Sequence, residues 1–547
     1  MQLNSLTYIA FFLLTYLAYR TAPHRFQNRL LLIASYIFYA WWDVRFLFLI
    51  LLSTVMNYGC GIVLREGVIS ARQRFFFSVW IIIAYFLTIV IQWQHFAPFQ
   101  STSASSTNWH ALVSGQPDTW LFFVAFGIGV SLFNLVYPRI ASLSEERKRG
   151  LFVLLGVSVN LVLLGFFKYY NFFIENIEWL LSGLNMNPPR LHLNIILPIG
   201  ISFYTFKGIS YVVDSYRGKV KIPHSFSDFS LFMAFFPSIL AGPIDRASSF
   251  LQQICERRNL SWEQSIRGIH LFLYGLFKKV VIADGVVRSV ASVFDSTGQA
   301  SWIDVVLATL LFTIQIYCDF SGYTDMARGS AKLLGIDLMV NFRLPYFSKN
   351  PQEFWSRWHI SLSTWLRDYL YIPLGGNRTG QAKTYRNLII TMILGGLWHG
   401  AAWNFVLWGL YHGIALSIHR AILSIRTAAR QRKGLFYDIA KITVCLMIVC
   451  YGWLLFRAPT LEKILTLTST LIFDFGNLDL GIAWPRLAAA IGIPILFIVE
   501  LTEKAGEEKP FYKKMPVPAW TSLYAAFIFC MAMGITTEST QFIYMVF

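Results

Sequence analysis

Two histidines in this chain sit where apolar sequence rarely places an ionisable group. His399 lies in Gly395-Gly-Leu-Trp-His-Gly-Ala-Ala-Trp-Asn404, inside an apolar run from Leu388 to about Leu423. His359 lies in Glu353-Phe-Trp-Ser-Arg-Trp-His-Ile-Ser-Leu-Ser-Thr-Trp-Leu-Arg-Asp368. The amphipathic order of that stretch predicts a helix, with His359 and Ser363 one turn apart on one face. A neutral imidazole, the form that burial favours, takes a proton from a hydroxyl while that oxygen attacks an activated acyl carbon. A second histidine or a nearby amide binds the developing oxyanion.

Position supports this chemistry for His399. It follows Asn387 by twelve residues, which at about 1.5 Å per residue is roughly 18 Å, near the middle of a bilayer. An ionisable group at that depth usually faces the protein interior or a water-filled path. Gly395, Gly396 and Gly400 remove bulk around it, so another helix or a slender substrate can approach closely. Asn404 and the indole donors of Trp398 and Trp403 flank it. For either histidine alone, a residue that merely hydrogen-bonds between helices is the competing reading. His412 could line the same cavity, whereas His419 falls near the cytoplasmic end of its helix and His270 has less to recommend it.

The elements that must position these residues are membrane spans. Hydrophobic residues make up 56% of the 547 and charged residues only 14%, against about 25% charged in soluble domains. Apolar runs long enough to cross a hydrocarbon core, roughly 20 residues each, lie near 45–64, 75–93, 119–137, 151–168, 302–318, 437–456, 484–501 and 518–536. Shorter or more broken runs lie near 5–19, 30–42, 196–213, 228–241 and 268–287. The fold class is therefore all-α and polytopic, with roughly 11–14 transmembrane helices. The first run follows Met1 without a basic flank or a small-residue cleavage site, and reads as a retained helix.

Charge orients the spans. The net charge of +17 is spread over short clusters: Arg20/His24/Arg25/Arg29, Arg65/Arg72/Arg74, Arg139/Arg147/Lys148/Arg149, Arg217/Lys219/Lys221 and Arg420/Arg426/Arg430/Arg432/Lys433. Such clusters mark cytoplasmic loops, which leaves Trp93–Trp120 and both termini outside. Scattered charge of this kind forms no patch for nucleic acid. From Asp319 to Arg386 no clean span is evident. Its basic and aromatic residues suit re-entrant or interfacial helices at the cytoplasmic face, ending in a turn, Pro373-Leu-Gly-Gly-Asn377-Arg378. Asp319, Ser321 and Asp325 read as a capped helix start at the membrane boundary. The expected division is 1–137 (amino-terminal helices with an external loop near 94–118), 138–426 (catalytic core including 319–386) and 427–547 (carboxy-terminal helices).

Other chemistries find little support. The six cysteines have no CxxC spacing and read as small buried apolar groups. No HExxH or CxxC ligand set points to a metal, and neither a GxSxG elbow nor a phosphate-binding loop is present.

Several stretches together resemble the membrane-bound O-acyltransferase (MBOAT) family, and within it the bacterial alginate O-acetyltransferase (AlgI) branch. They are Phe342-Arg-Leu-Pro-Tyr-Phe-Ser, the His359 segment continued through Tyr-Leu-Tyr-Ile-Pro-Leu-Gly-Gly-Asn-Arg378, and Gly395–Asn404. Lys168-Tyr-Tyr-Asn-Phe, Leu197-Pro-Ile-Gly-Ile-Ser-Phe-Tyr-Thr-Phe206, Phe235-Phe-Pro-Ser-Ile-Leu-Ala-Gly-Pro-Ile244 and Tyr317-Cys-Asp-Phe-Ser-Gly-Tyr-Thr-Asp325 agree. The likeness spans roughly 1–460 and is densest from 317 to 413. It implies a helical bundle around a trans-bilayer tunnel, with His399 catalytic and His359 its helper. It also implies substrate contacts from the surrounding Trp358, Ser363, Trp398, Trp403, Asn404, Asn377 and Arg378. Acetyl-CoA is then the donor substrate, no cofactor or metal is needed, and the setting is the bacterial cytoplasmic (inner) membrane with its lipids. The acetyl group goes outward to an exported polysaccharide, with an extracytoplasmic partner of the SGNH-hydrolase kind. Transfer of D-alanine or another acyl group to a cell-wall polymer, and a non-catalytic channel or transporter subunit, are the alternatives.

Overall fold

Capping residues decide where the apolar runs begin and end. The computed structural model describes residues 1–93, 113, 115–186, 191–220, 224–240, 242–258, 260–378, 380–425, 434–502, 516–534 and 543. Helices α1 (Leu6–Thr21), α2 (His24–Ala40) and α3 (Val44–Glu66) come first. Asp43 starts α3 by accepting from the Arg45 amide, and Gly67, at φ 83°, ends it in a conformation that suits glycine. Ser70 and Gln73 form a reciprocal capping box at the start of α4 (Ala71–Tyr85). Then follow α5 (Pro117–Ala141), α6 (Glu145–Leu164), α7 (Tyr170–Gly183) and α8 (Ile201–Tyr216), with short helices α9 (Phe226–Ala234), α10 (Phe236–Ile239) and α11 (Ala247–Cys255). Most of the external loop expected near 94–118, together with Lys221, Arg426, Arg430, Arg432 and Lys433, lies outside the described residues.

Next, α12 (Trp262–Phe277) passes through a π-helical turn, Lys278–Ala283, into α13 (Asp284–Phe294). The long α14 (Trp302–Leu333) packs against α12 through facing glycines. A Cβ on Gly275 would stand 2.5 Å from the Gly322 carbonyl oxygen, and one on Gly329 would stand 2.6 Å from that of Gly268. Backbones this close exclude any side chain at the crossing, the usual way membrane helices gain packing.

Helix α14 corrects the reading of Asp319, Ser321 and Asp325 as a helix start, because all three lie inside it. A spanning helix carries these groups because they are paired in the protein interior. Lys279 Nζ lies 2.8 Å from Asp284 and 2.7 Å from Asp319, and Lys278 Nζ lies 2.6 Å from Asp325. The Tyr317 hydroxyl donates to the buried Glu500 carboxylate. Replacing Lys279 by Met strands two buried carboxylates. It is expected to cost about 3–5 kcal/mol, read as a marked fall in the thermal midpoint of the detergent-purified protein. An unchanged midpoint would mean that the pairing does not hold α14 in place.

The region of the two histidines follows. α15 (Pro351–Arg357) and α16 (Ile360–Leu366) replace the continuous helix expected over 353–368, and the chain breaks at His359. Beyond the 373–378 turn come α17 (Gln381–His399) and α18 (Trp403–Ile425), so the long apolar run folds as a hairpin broken at Gly400. The last helices are α19 (Leu435–Arg457), α20 (Leu461–Phe473), α21 (Leu487–Thr502) and α22 (Val517–Gly534).

Eight helical segments among the described residues are long and apolar enough to cross a bilayer, and α21 is apolar but shorter. The expectation of roughly 11–14 spans also counts more broken runs such as those of α1, α2, α8 and α12. The chain is an all-α, polytopic membrane protein. Its described residues form two compact units that do not follow the 1–137, 138–426 and 427–547 partition: Met1–Asn171 with Pro189–Leu240 and Asp245–Asn259, and Phe172–Pro188 with Ala241–Ile244 and Leu260–Phe547. Both histidines belong to the second.

Candidate active site

His399 is the last residue of α17, and its direction is fixed by what packs behind it. Gly396 of α17 faces the Phe405 carbonyl of α18, and Gly409 of α18 faces the Met392 carbonyl of α17, each so closely that a Cβ would clash. The glycines next to His399 therefore serve the hairpin: a helix, rather than a substrate, occupies the space they free at Gly396. Gly400, extended at φ −160° and ψ 151°, ends α17 and turns the chain into α18. The imidazole of His399 is 4% exposed. It meets Trp408 edge to face with centroids 5.1 Å apart, and Phe456 at 5.4 Å.

His359 reaches the same point from a strained backbone. At φ 41° and ψ 55° it is left-handed, one of three non-glycine residues with positive φ among those described. Such strain costs on the order of 1–3 kcal/mol and persists only where surroundings impose it. Asn341 imposes it here: its carbonyl accepts from the Ile360 amide at 2.9 Å, and its side-chain oxygen accepts from the Ser361 amide at 3.2 Å. These two bonds satisfy the first amides of α16 in place of an N-cap side chain. Ser361 Oγ in turn accepts from the Ile244 amide at 3.0 Å. On the other side, α15 closes with the Trp358 amide donating to the Phe354 carbonyl at 2.8 Å.

The break at His359 brings the two imidazoles together. Their centroids are 6.5 Å apart, close enough for a single oxygen to lie between ring nitrogens at roughly 2.8–3 Å from each. The His359 ring is fully buried, rests on the Phe320 ring at 4.6 Å, and lies 5.8 Å from Trp398. Neither of its nitrogens has a hydrogen-bond partner among the described residues. A buried polar atom left without a partner costs about 1–3 kcal/mol, which a packing role would not require. The indole nitrogens of Trp408 and Trp453 and Nε2 of His412 are likewise without partners among the described residues.

The other expected site residues divide into four groups. Trp398 lies beside the pair, its ring 5.8 Å from His359 and 5.1 Å from His399. Trp358, 1% exposed, packs behind the break against Phe342, Phe354 and Trp453. Ser363 and Asn404 are committed to backbone. Ser363 Oγ donates to the Trp358 carbonyl at 3.0 Å, and the Asn404 amide donates to the carbonyls of Phe456 and Ala458 at 3.1 and 3.3 Å. Asn377 and Arg378 are exposed on the turn after α16. Asn387 tethers that turn through the Leu374 and Gly376 carbonyls, roughly 18 Å along α17 from His399.

Trp403 is half exposed and donates from Nε1 to Asn176 Oδ1 at 2.9 Å, with its ring 5.9 Å from Phe172. It lines a cavity of about 630 Å³ with Phe172, Glu175, Trp179 and Thr460, beside the Gly400–Trp403 connection that follows His399.

Asn341, Phe320, Trp408 and Phe456 escaped the reading of the sequence. Asn341 carries a faint signal, since it directly precedes the Phe342-Arg-Leu-Pro stretch. The other three are ordinary apolar positions until the fold brings them to the imidazoles. Among the described residues no group of His, Cys, Asp and Glu could hold a metal ion.

Fold and site define a polytopic helical membrane protein with a buried imidazole pair suited to acyl transfer. Residues 75–457 match the membrane-bound O-acyltransferase family, and the chain belongs to it. It is an O-acyltransferase. The chain is 37% identical to a probable alginate O-acetylase AlgI of Pseudomonas aeruginosa over 88% of its own length and 76% of the relative's. It is 35% identical to the protein of that description in Pseudomonas putida, over 95% and 90%. With a peptidoglycan O-acetyltransferase of Helicobacter pylori it shares 38% identity over 64% of this chain and 72% of that one.

Proposed function

We propose that the chain, in a bacterial cytoplasmic membrane, moves the acetyl group of cytoplasmic acetyl-CoA to a hydroxyl of an exported polysaccharide. An extracytoplasmic SGNH-hydrolase-like protein takes part on the outer side. The observation that carries this reading is the buried pair, His399 and His359, 6.5 Å apart with the His359 nitrogens uncommitted among the described residues. The alginate O-acetylase and peptidoglycan O-acetyltransferase relatives support acetyl as the group and a cell-surface polymer as the acceptor class.

In the step itself, a ring nitrogen of His399 takes the hydroxyl proton as that oxygen attacks the thioester carbonyl. The carbon–oxygen bond forms and the carbon–sulfur bond breaks. The CoA thiolate leaves and receives the proton from His399, so the ring ends as it began. His359 donates a hydrogen bond to the carbonyl oxygen while it carries negative charge. Arg343, Arg378 and Lys383 are exposed and have no acid partner among the described residues, which suits them to the phosphates of CoA. The cavity beside Gly400–Trp403 presents Trp179 and Trp403 as flat apolar surfaces and Glu175 as a hydrogen-bond acceptor, a combination fitted to a sugar.

Inverted membrane vesicles given acetyl-labelled acetyl-CoA outside test this. Label is expected in lumenal polymer, with free CoA thiol appearing outside. In Trp403→Ala the KM for acceptor is expected to rise several-fold with little change in CoA release at saturating acceptor. Label that stays outside, or transfer from a carrier-protein thioester in preference to acetyl-CoA, would overturn the proposal.

A further inference from the structure

The first compact unit contains a gap that its own side chains do not fill. Helix α5 is 25 residues long and strongly apolar, yet none of its apolar window is buried, whereas 72% of the corresponding window of α3 is. A cavity of about 450 Å³ lies among α3, α4, α5 and α6, beside the contacts of the Phe126 ring with Phe48 and Tyr85. Its walls are apolar, with Leu52, Met56, Phe77, Ile81, Phe126 and Phe133 among them. Gly129 faces this space and has nothing within 4 Å of where a Cβ would stand. Protein interiors are packed to the density of organic crystals, with few voids larger than a water molecule.

One end of the cavity is charged. Arg74 lines it, and its Nη1 donates to the Asn134 carbonyl at 3.2 Å. The guanidinium carbon lies 4.5 Å from the Tyr137 ring centre. Its buried Nε has no partner, and no carboxylate pairs with Arg74 among the described residues. Each of the four helices around the cavity carries basic residues at this end: Arg65 in the last turn of α3, Arg72 and Arg74 at the start of α4, Arg139 in the last turn of α5, and Arg147, Lys148 and Arg149 at the start of α6, against Glu66, Glu145 and Glu146. Arg72 and Arg139 are exposed. An apolar slot closed by an arginine with no carboxylate partner among the described residues, and by a basic rim, matches a molecule with a hydrocarbon chain and an anionic head.

We infer that this cavity is a binding site for an anionic phospholipid of the cytoplasmic leaflet. One acyl chain lies between α5 and α3, and the phosphate sits on Arg74. Basic pockets between transmembrane helices hold lipid head groups by this charge complementarity. The bound chain fills the part of the α5 face that Phe48 and Tyr85 do not cover.

The test is native mass spectrometry of the full chain in mild detergent, titrated with phosphatidylglycerol or phosphatidylcholine. One phosphatidylglycerol is expected to remain bound through detergent removal and to raise the thermal midpoint, with phosphatidylcholine much weaker. Arg74→Gln should weaken phosphatidylglycerol about fivefold, the worth of one basic side chain at an anionic lipid surface, and leave phosphatidylcholine unchanged. Gly129→Leu, whose Cβ would meet no neighbour within 4 Å and whose side chain would extend into the slot, should lower retention of both lipids with helix content preserved, and it tests the site even if Arg74→Gln fails to fold. Equal retention of both lipids in all three proteins would overturn the inference. Protection by inorganic phosphate alone, or a dimer whose contact is broken by Gly129→Leu, would do so as well.

Discussion

Replacing His399 by Ala is expected to lower acetyl transfer by about 10²–10⁴-fold, the usual contribution of a positioned general base. The imidazole terminates α17, held by Trp408 and Phe456, at the point where the accepting hydroxyl must lose its proton. His399→Gln separates chemistry from packing, because it keeps volume and a hydrogen-bonding group while removing the basic nitrogen. Both variants should insert in the membrane at normal abundance and leave the cell-surface polymer without acetyl. A polymer of normal acetyl content in either variant would show that the chain passes the group along without catalysing its transfer. That is the outcome expected of a channel or a structural subunit.

The second large effect belongs to His359. Loss of one preorganised donor to an oxyanion costs about 10²–10³ in kcat, and His359→Asn is expected to fall in that range. Asparagine tolerates the left-handed conformation better than most residues, so the thermal midpoint should hardly move. Glycine accepts φ 41° without strain. If His359 served only to shape the break between α15 and α16, His359→Gly would keep the parent rate. The expected result is a rate as low as that of the asparagine variant, carried in kcat with KM for acetyl-CoA little changed. A glycine variant with full activity would remove His359 from the chemistry.

These two residues were visible in the sequence for different reasons. His399 announced itself by depth, since an imidazole far inside an apolar run must have a partner or a purpose. Its glycines were also visible, but their use was not: only the hairpin shows that Gly396 and Gly409 let α17 and α18 touch backbones. His359 was legible as a polar residue on an amphipathic stretch, and periodicity then extended one helix through it. The helix breaks because Asn341, eighteen positions earlier in the chain, offers two acceptors to the amides that follow His359. Periodicity reports local preference and carries no information about a distant acceptor. The same limit explains Asp319 and Asp325, which read as a helix boundary because carboxylates are costly in a span. Their cations, Lys278 and Lys279, lie on another element.

By itself, then, the sequence determined the class, the spans and the residue types that do chemistry. Apolar run length and the scarcity of charge are properties of consecutive residues, and the bilayer reads them directly. Tertiary structure alone decided which groups meet. It set the imidazoles 6.5 Å apart, committed Ser363 and Asn404 to backbone, and left Arg74 facing an apolar slot. Those outcomes depend on hydrogen bonds and close packing between segments far apart in the chain, where each partner gains its meaning only from the other.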